Sequence, residues 1–214
     1  NIVTIEDPVE YTIRGVTQVN VDIKRKLTFS NGLKCILRQD SDIIMIGEIR
    51  DEETAAIAVR AAITGHLVLS TLHTNNARDS IVRLLDMGIP SYLLFDALIG
   101  VIAQRLVRKV CTHCGYSYAP SKDEIKFMKI ENDSKLLIKK GKGCLCCNAT
   151  GYRGRTVISE SIYMDIENKT NLREFIKKDT NYNFDINDGQ TLENCCIGLI
   201  KNGVTSFDEL LSNL

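Results

Sequence analysis

Three short β-branched runs, residues 2–5, 43–46 and 67–71, each break off into polar side chains that carry chemistry. The first gives way to Glu6-Asp7-Pro8, the second to Gly47-Glu48-Ile49-Arg50-Asp51, and the third to Leu72-His73-Thr74-Asn75. The runs are apolar enough to be buried on both faces, as strands of a parallel sheet are. A fourth strand is predicted at 16–21. Helical spacing appears between the strands: Phe29, Leu33, Ile36 and Leu37 in residues 28–39, an Ala-rich stretch at 52–63, and residues 79–87 ahead of Gly88 and Pro90. Asp51 is placed as the N-cap of the second helix and Gly65 just past its end. This alternation predicts an α/β fold on an open, mainly parallel sheet. Strand carboxyl ends then share one edge, which is where such sheets bind ligands. Glu6, Glu48 and His73 are therefore expected on one rim. Two carboxylates and an imidazole there can hold a hydrated Mg2+, orient a water and contact a phosphate.

Taken singly these signals are weak, because acids end strands and start helices in every kind of protein; the set of three is what constrains. His66 and His73 flank one strand seven residues apart. An odd separation sends side chains to opposite faces. His73 is thus assigned near the phosphates, and His66, kept as a supporting candidate, to packing or a subunit contact at the other strand end.

Eight cysteines are present and clustered. Cys111-Thr112-His113-Cys114 and Cys144-Leu145-Cys146-Cys147 form a C-x-x-C pair of knuckles. Each knuckle can supply two corners of a tetrahedron, so Cys111, Cys114, Cys144 and Cys147 are expected to close a structural Zn2+ site with no open position. Cys146 and His113 are alternative ligands. Cys35, Cys195 and Cys196 are expected to be buried apolar packing.

The chain has 214 residues, 44% hydrophobic and 25% charged, enough for a sizeable core. Lys plus Arg and Asp plus Glu are both 27, and this balance weighs against nucleic acid as a direct partner. The run Lys24-Arg25-Lys26 reads as solvated. No apolar run approaches the roughly 20 residues of a membrane-spanning helix; residues 92–103 read as a buried helix. Further along, a strand is predicted at 156–163, helices at 172–178 and 192–201, and a loop at 178–189. Three segments are expected: 1–109 as an α/β core, 110–154 as a tetracysteine subdomain, and 155–214 as a C-terminal strand with helices. The chain opens without Met inside an expected strand, so it is expected to be part of a longer protein.

These blocks resemble the secretion ATPase E superfamily of bacterial type II secretion and type IV pilus assembly. Thr4-Ile5-Glu6-Asp7-Pro8-Val9-Glu10-Tyr11 is similar to its Asp box, and Leu37-Arg38-Gln39-Asp40 leading into 43–51 to its Walker B region. Residues 64–75, Thr64-Gly65-His66 through His73-Thr74-Asn75, are similar to its His box. The likeness continues through Gln104-Arg105-Leu106-Val107-Arg108 and Gly151-Tyr152-Arg153-Gly154-Arg155, and more weakly in Gly203-Val204-Thr205-Ser206 with Glu209.

The resemblance implies a RecA-like fold and an ATP hydrolase. It implies that Glu48 supports Mg2+, Glu6 polarises the attacking water, Asp7 and Glu10 are supporting acids, and His73 contacts the nucleotide. It also implies a homo-hexamer hydrolysing ATP at subunit boundaries, cytoplasmic, at the inner face of the cytoplasmic membrane. Its partners would be an inner-membrane platform and cytoplasmic docking proteins. The tetracysteine module favours secretion or pilus extension over retraction. No G-x-x-x-x-G-K-[ST] loop occurs in the 214 residues, and in the family it lies upstream of the Asp box. The sheet is therefore expected to be incomplete, and the chain by itself neither to bind ATP tightly nor to hydrolyse it. A non-catalytic, zinc-stapled interaction module and a DNA-uptake pilus motor are the alternatives.

Overall fold

The computed structural model describes residues 1–131, 135–177 and 191–213. In chain order the elements are β1 (Ile2–Glu6), β2 (Thr17–Asn20), α1 (Phe29–Ile36), β3 (Ile43–Ile46), α2 (Glu52–Ile63), β4 (Leu67–Ser70), α3 (Ala77–Asp86), α4 (Ser91–Ala97), β5 (Gly100–Val110), β6 (Gly115–Tyr118), α5 (Lys122–Phe127), β7 (Ile138–Gly141), β8 (Tyr152–Tyr163), α6 (Ile166–Lys177), α7 (Leu192–Lys201) and α8 (Phe207–Asn213). They group into two compact units, one of Asn1–Val101 with residues 162–177, the other of Ile102–Ser161 with residues 191–213. These units and the compositional segments 1–109, 110–154 and 155–214 are different divisions of the same chain.

The first unit holds the parallel sheet, in the order β2-β1-β3-β4. Ile5 lies opposite Ile46, and Ile46 opposite Ser70, so the carboxyl ends of β1, β3 and β4 come level. Val3, Ile5, Ile44 and Ile46 are buried, with Leu33 and Ile36 of α1 and Ala55, Ala58 and Ala61 of α2. A Cβ on Gly32 would lie 2.1 Å from Ile5 Cδ1, so any larger residue on α1 would have to displace that core side chain. The helices start where side-chain oxygens meet orphan N–H groups. Thr28 accepts from Asn31 N at 3.2 Å, Asp51 from Thr54 N at 2.8 Å, and Asn76 from Asp79 N at 2.7 Å.

Two of the elements expected in this unit differ. β4 is not buried on both faces: it ends the sheet, and Leu67 and Leu69 are 41% and 51% exposed. Residues 92–103 are not one buried helix. α4 stops at Ala97, Asp96 is exposed, and β5 begins at Gly100. Ile99, Val101 and Ile102 favour extended backbone, and a Cβ at Gly100 would stand 3.0 Å from the Ile162 carbonyl oxygen of β8. The run Lys24-Arg25-Lys26 is exposed, as expected.

In the second unit β5 pairs with β8, and β6 with β7 in antiparallel register, Gly115 opposite Gly141 and Tyr118 opposite Ile138. Val107, Met128, Ile138, Ile158, Leu192, Cys196, Ile197, Ile200 and Leu210 form its core. β8 is longer than the expected 156–163 strand, and α7 has the expected bounds. In the first unit, the helix expected at 172–178 begins earlier, at Ile166. The loop expected at 178–189 lies outside the described residues. Cys196 is buried and Cys195 packs against this core, whereas Cys35 is exposed on α1. Among the described residues no helix is long and apolar enough to cross a membrane.

Candidate functional site

Glu48 follows β3 on a backbone fixed from both sides. Gly47 N donates to Ile5 O of β1 at 2.8 Å, Ile49 N donates to Thr71 O at 3.0 Å, and the Thr71 hydroxyl donates to Gly47 O at 2.7 Å. The Glu48 side chain is 14% exposed. Its Oε1 accepts from Arg50 Nη2 at 2.5 Å, and its Oε2 meets His73 Nε2 at 2.9 Å. The hydrogen bond from Arg50 outweighs burial and, helped by His73, holds the Glu48 carboxyl below its ordinary range. Glu48 and His73, 25 residues apart, are thus in direct contact at the carboxyl edge of the sheet.

Glu6 ends the neighbouring strand. Its Oε1 accepts from the buried Thr4 hydroxyl at 2.5 Å and from Gln18 Nε2 at 3.0 Å. Gln18 also donates to Tyr11 O at 3.0 Å and accepts from Ile13 N at 2.7 Å, so one amide orients Glu6 and pins the following loop. Asp7 is exposed beyond Glu6, and its charge acts on Arg50. Glu10 is exposed in the loop, near where Val9 N donates to Asn20 Oδ1 at 2.7 Å. His66 stands before β4, at the opposite end of that strand from His73. Its Nδ1 lies 3.1 Å from Ala61 O, at the end of α2.

Sequence reasoning missed Arg50 and Gln18. For Arg50 a signal existed: residues i and i+2 of extended backbone point the same way, so Glu48 and Arg50 were placed to pair. Gln18 carried no signal, because its bonds depend on the β1–β2 pairing.

The cysteine centre lies in the second unit. The Sγ atoms of Cys111, Cys114, Cys144 and Cys147 all lie within 4.8 Å of one another. Cys111–Cys144 is 3.9 Å, Cys114–Cys147 3.8 Å and Cys144–Cys147 3.7 Å. Metal–sulfur bonds of about 2.3 Å to tetrahedral corners set sulfurs about 3.8 Å apart, so the four residues fit a closed tetrahedral S4 centre. Burial opposes ionisation of Cys147, but N–H donation from Cys144 at 3.2 Å and Gly151 at 3.3 Å prevails and holds that thiol down at about 6. Burial, reinforced by Cys147, pushes Cys144 up to about 12. Cys146 and His113 are exposed and outside the cluster.

The sequence profile of the family described as type II/IV secretion system protein matches residues 1–212. The chain belongs to that family. Among relatives of this secretion family, the type II secretion system ATPase E of Vibrio cholerae is 49% identical over 165 residues, covering 77% of this chain and 33% of its own length. The type IV pilus assembly ATPase PilB of Thermus thermophilus is 48% identical over 169 residues, covering 78% of this chain and 19% of its own length. The chain thus spans a third or less of these two relatives. The crystal structure of the pilus retraction motor PilT with bound ADP superposes with a TM-score of 0.71 at 28% identity, over 100% of this chain and 52% of PilT. The secretion-family fold here is accordingly α/β and RecA-like, with a parallel sheet and a tetracysteine cluster.

Proposed function

We propose that these residues form part of the ATPase motor that drives type II pseudopilus or type IV pilus assembly. One observation carries the reading: Glu48 is held, ionised and oriented, against His73 at the strand ends where Glu6 also emerges. Family membership and the ATPase names of the relatives supply the reaction class.

In this reading Glu48 and its ordered waters hold Mg2+, Glu6 abstracts or polarises the proton of the attacking water, and His73 contacts the nucleotide. Asp7 and Glu10 add negative charge behind them. Bound with ATP, Mg2+ supplies charge neutralisation on the phosphate oxygens. The phosphate-cradling backbone loop comes from outside the 214 residues, its strand pairing with the bare edge of β4, where Leu67 and Leu69 stand exposed. The working form is a homo-hexamer with nucleotide at subunit boundaries, at the cytoplasmic face of the membrane. It docks to a platform protein and cytoplasmic docking proteins there. Segment 1–109 carries the chemistry, 110–154 is a zinc-stapled subdomain, and 155–214 completes the packing. Zn2+ in the S4 centre is structural, since four thiolates leave no position for water.

The test is Glu48→Gln in the full-length protein. Hydrolysis should fall at least about 100-fold with nucleotide binding retained. Turnover within a few-fold of the parent would overturn the role of Glu48, whereas a full-length parent that hydrolyses no ATP would overturn the motor reading and favour an interaction module. The 214-residue chain by itself should show no tight ATP binding; a micromolar affinity in calorimetry would refute that part.

A further inference from the structure

Glu6, Asp7 and Glu48 gather negative charge at one sheet edge, yet both oxygens of Glu48 are already engaged. Arg50 Nη2 takes Oε1 at 2.5 Å and His73 Nε2 meets Oε2 at 2.9 Å. We propose that Arg50 is a placeholder counter-ion, a positioning residue that keeps the Glu48 carboxylate aimed until a divalent cation arrives with nucleotide, then swings to Asp7. This deepens the motor reading and rests on it, because it takes Glu48 as the acid on the metal side.

The argument turns on which partner can move. Glu48 cannot: the residues flanking it are tied to β1 and to Thr71 by three hydrogen bonds, and its side chain is 14% exposed. Arg50 can, since its side chain is 61% exposed and its guanidinium is held by the hydrogen bond to Glu48. A divalent cation at the carboxylate brings two positive charges within a few ångströms of the guanidinium. Like charges at that range repel strongly where water is partly excluded. Either the guanidinium leaves or metal affinity is forfeited.

A destination lies beside it. β1 and β3 pair in parallel with Ile5 opposite Ile46, so continuing that register sets Asp7 next to Glu48. Asp7 is exposed, and after Glu48 it is the next carboxylate to act on Arg50. Transfer from Glu48 to Asp7 keeps the guanidinium paired throughout, so the step needs no unpaired charge at any stage.

The experiment uses full-length protein loaded with a non-hydrolysable ATP analogue and titrated with Mn2+, followed by electron paramagnetic resonance. Removing an exposed competitor of this kind should tighten Mn2+ binding about three- to five-fold in Arg50→Gln. Arg50→Lys, which keeps the charge, should restore parental affinity. A merely structural arginine would leave Mn2+ affinity unchanged or weaken it. Either result, in a variant whose thermal midpoint is unchanged, overturns the proposal. Should Arg50→Gln not fold, Arg50→Ala in the Asp7→Asn background serves, with the same tightening expected and the same result overturning it. Glu48→Gln separates the two readings. It should weaken Mn2+ binding, and parental affinity there would refute the role of Glu48 itself, whereas failure of the Arg50 arm alone leaves that role standing.

Discussion

The buried carboxylate of Glu209 grips Arg108 at three points. Its Oε1 accepts from Nε at 2.8 Å and from Nη2 at 2.6 Å, and its Oε2 accepts from the Arg108 backbone N at 2.6 Å. The guanidinium also lies 4.2 Å over the Tyr152 ring, whose hydroxyl meets Ser206 Oγ at 2.6 Å, while Thr205 Oγ1 donates to Arg108 O at 2.8 Å. This ties α8 and the turn before it to β5 within the second unit. Glu209→Ala should destabilise that unit by about 2 kcal/mol, because a part-buried backbone N–H loses its acceptor while the half-exposed guanidinium can be rehydrated. Glu209→Gln keeps an acceptor and should cost about half as much. Urea unfolding followed by circular dichroism measures both, and a loss below about 0.5 kcal/mol for the alanine variant contradicts the account.

Metal content tests the cysteine centre. Mass spectrometry of the intact protein should find a single Zn2+ per chain, lost in Cys111→Ser or Cys147→Ser and retained in Cys146→Ser. The last comparison decides between neighbouring cysteines: Cys147 Sγ takes two N–H bonds inside the cluster and Cys146 is exposed. Chelation should lower the thermal midpoint of the second unit, since ligand binding free energy is folding free energy in such a site.

Asp51 caps α2 through both carboxylate oxygens, to Thr54 N at 2.8 Å and to Thr54 Oγ1 at 3.1 Å. Asp51→Ala should cost about 1 kcal/mol and Asp51→Asn much less. The helix begins four residues after Glu48, so the alanine variant should also loosen the rim. Amide hydrogen exchange at Ile49 and Thr54 would report that loosening; unchanged protection counts against it.

Acid stability should depend on Glu48. Its carboxyl is held below the usual range chiefly by Arg50, so the folded state binds the ionised form better than the unfolded chain does. That contribution is full above the ordinary carboxylate range and is lost as pH falls through the lowered folded value. Thermal midpoints measured downward from about pH 6 should fall more steeply in the parent than in Glu48→Gln below about pH 4. Parallel curves would show that the Arg50 bond does not form in solution.

Much of the site could be read from the chain because it rests on local rules. An apolar run that stops at an acid predicts a strand end, and parallel order aligns the ends; Glu48 and His73 meet for that reason. The two cysteine knuckles were equally legible, since their spacing is short-range. What escaped was set by partners distant in sequence. The stretch 92–103 has helix-compatible composition, and it splits because β8, some 50 residues on, claims the part after Gly100 as a strand. β6 and β7 were hidden among lysines and glycines whose pairing depends on the sulfur cluster. Glu209 was visible as a family-like residue, but its hold on Arg108, 101 positions away, was not.

A strand with a bare flank is a template, and β4, last in the sheet among the described residues, offers the N–H and C=O groups of its outer edge together with Leu67 and Leu69. Two molecules of this stretch can satisfy those groups on each other as readily as on a native neighbour. Preparations of residues 1–214 should therefore self-associate as they are concentrated, and a lysine at position 69 should keep them dispersed.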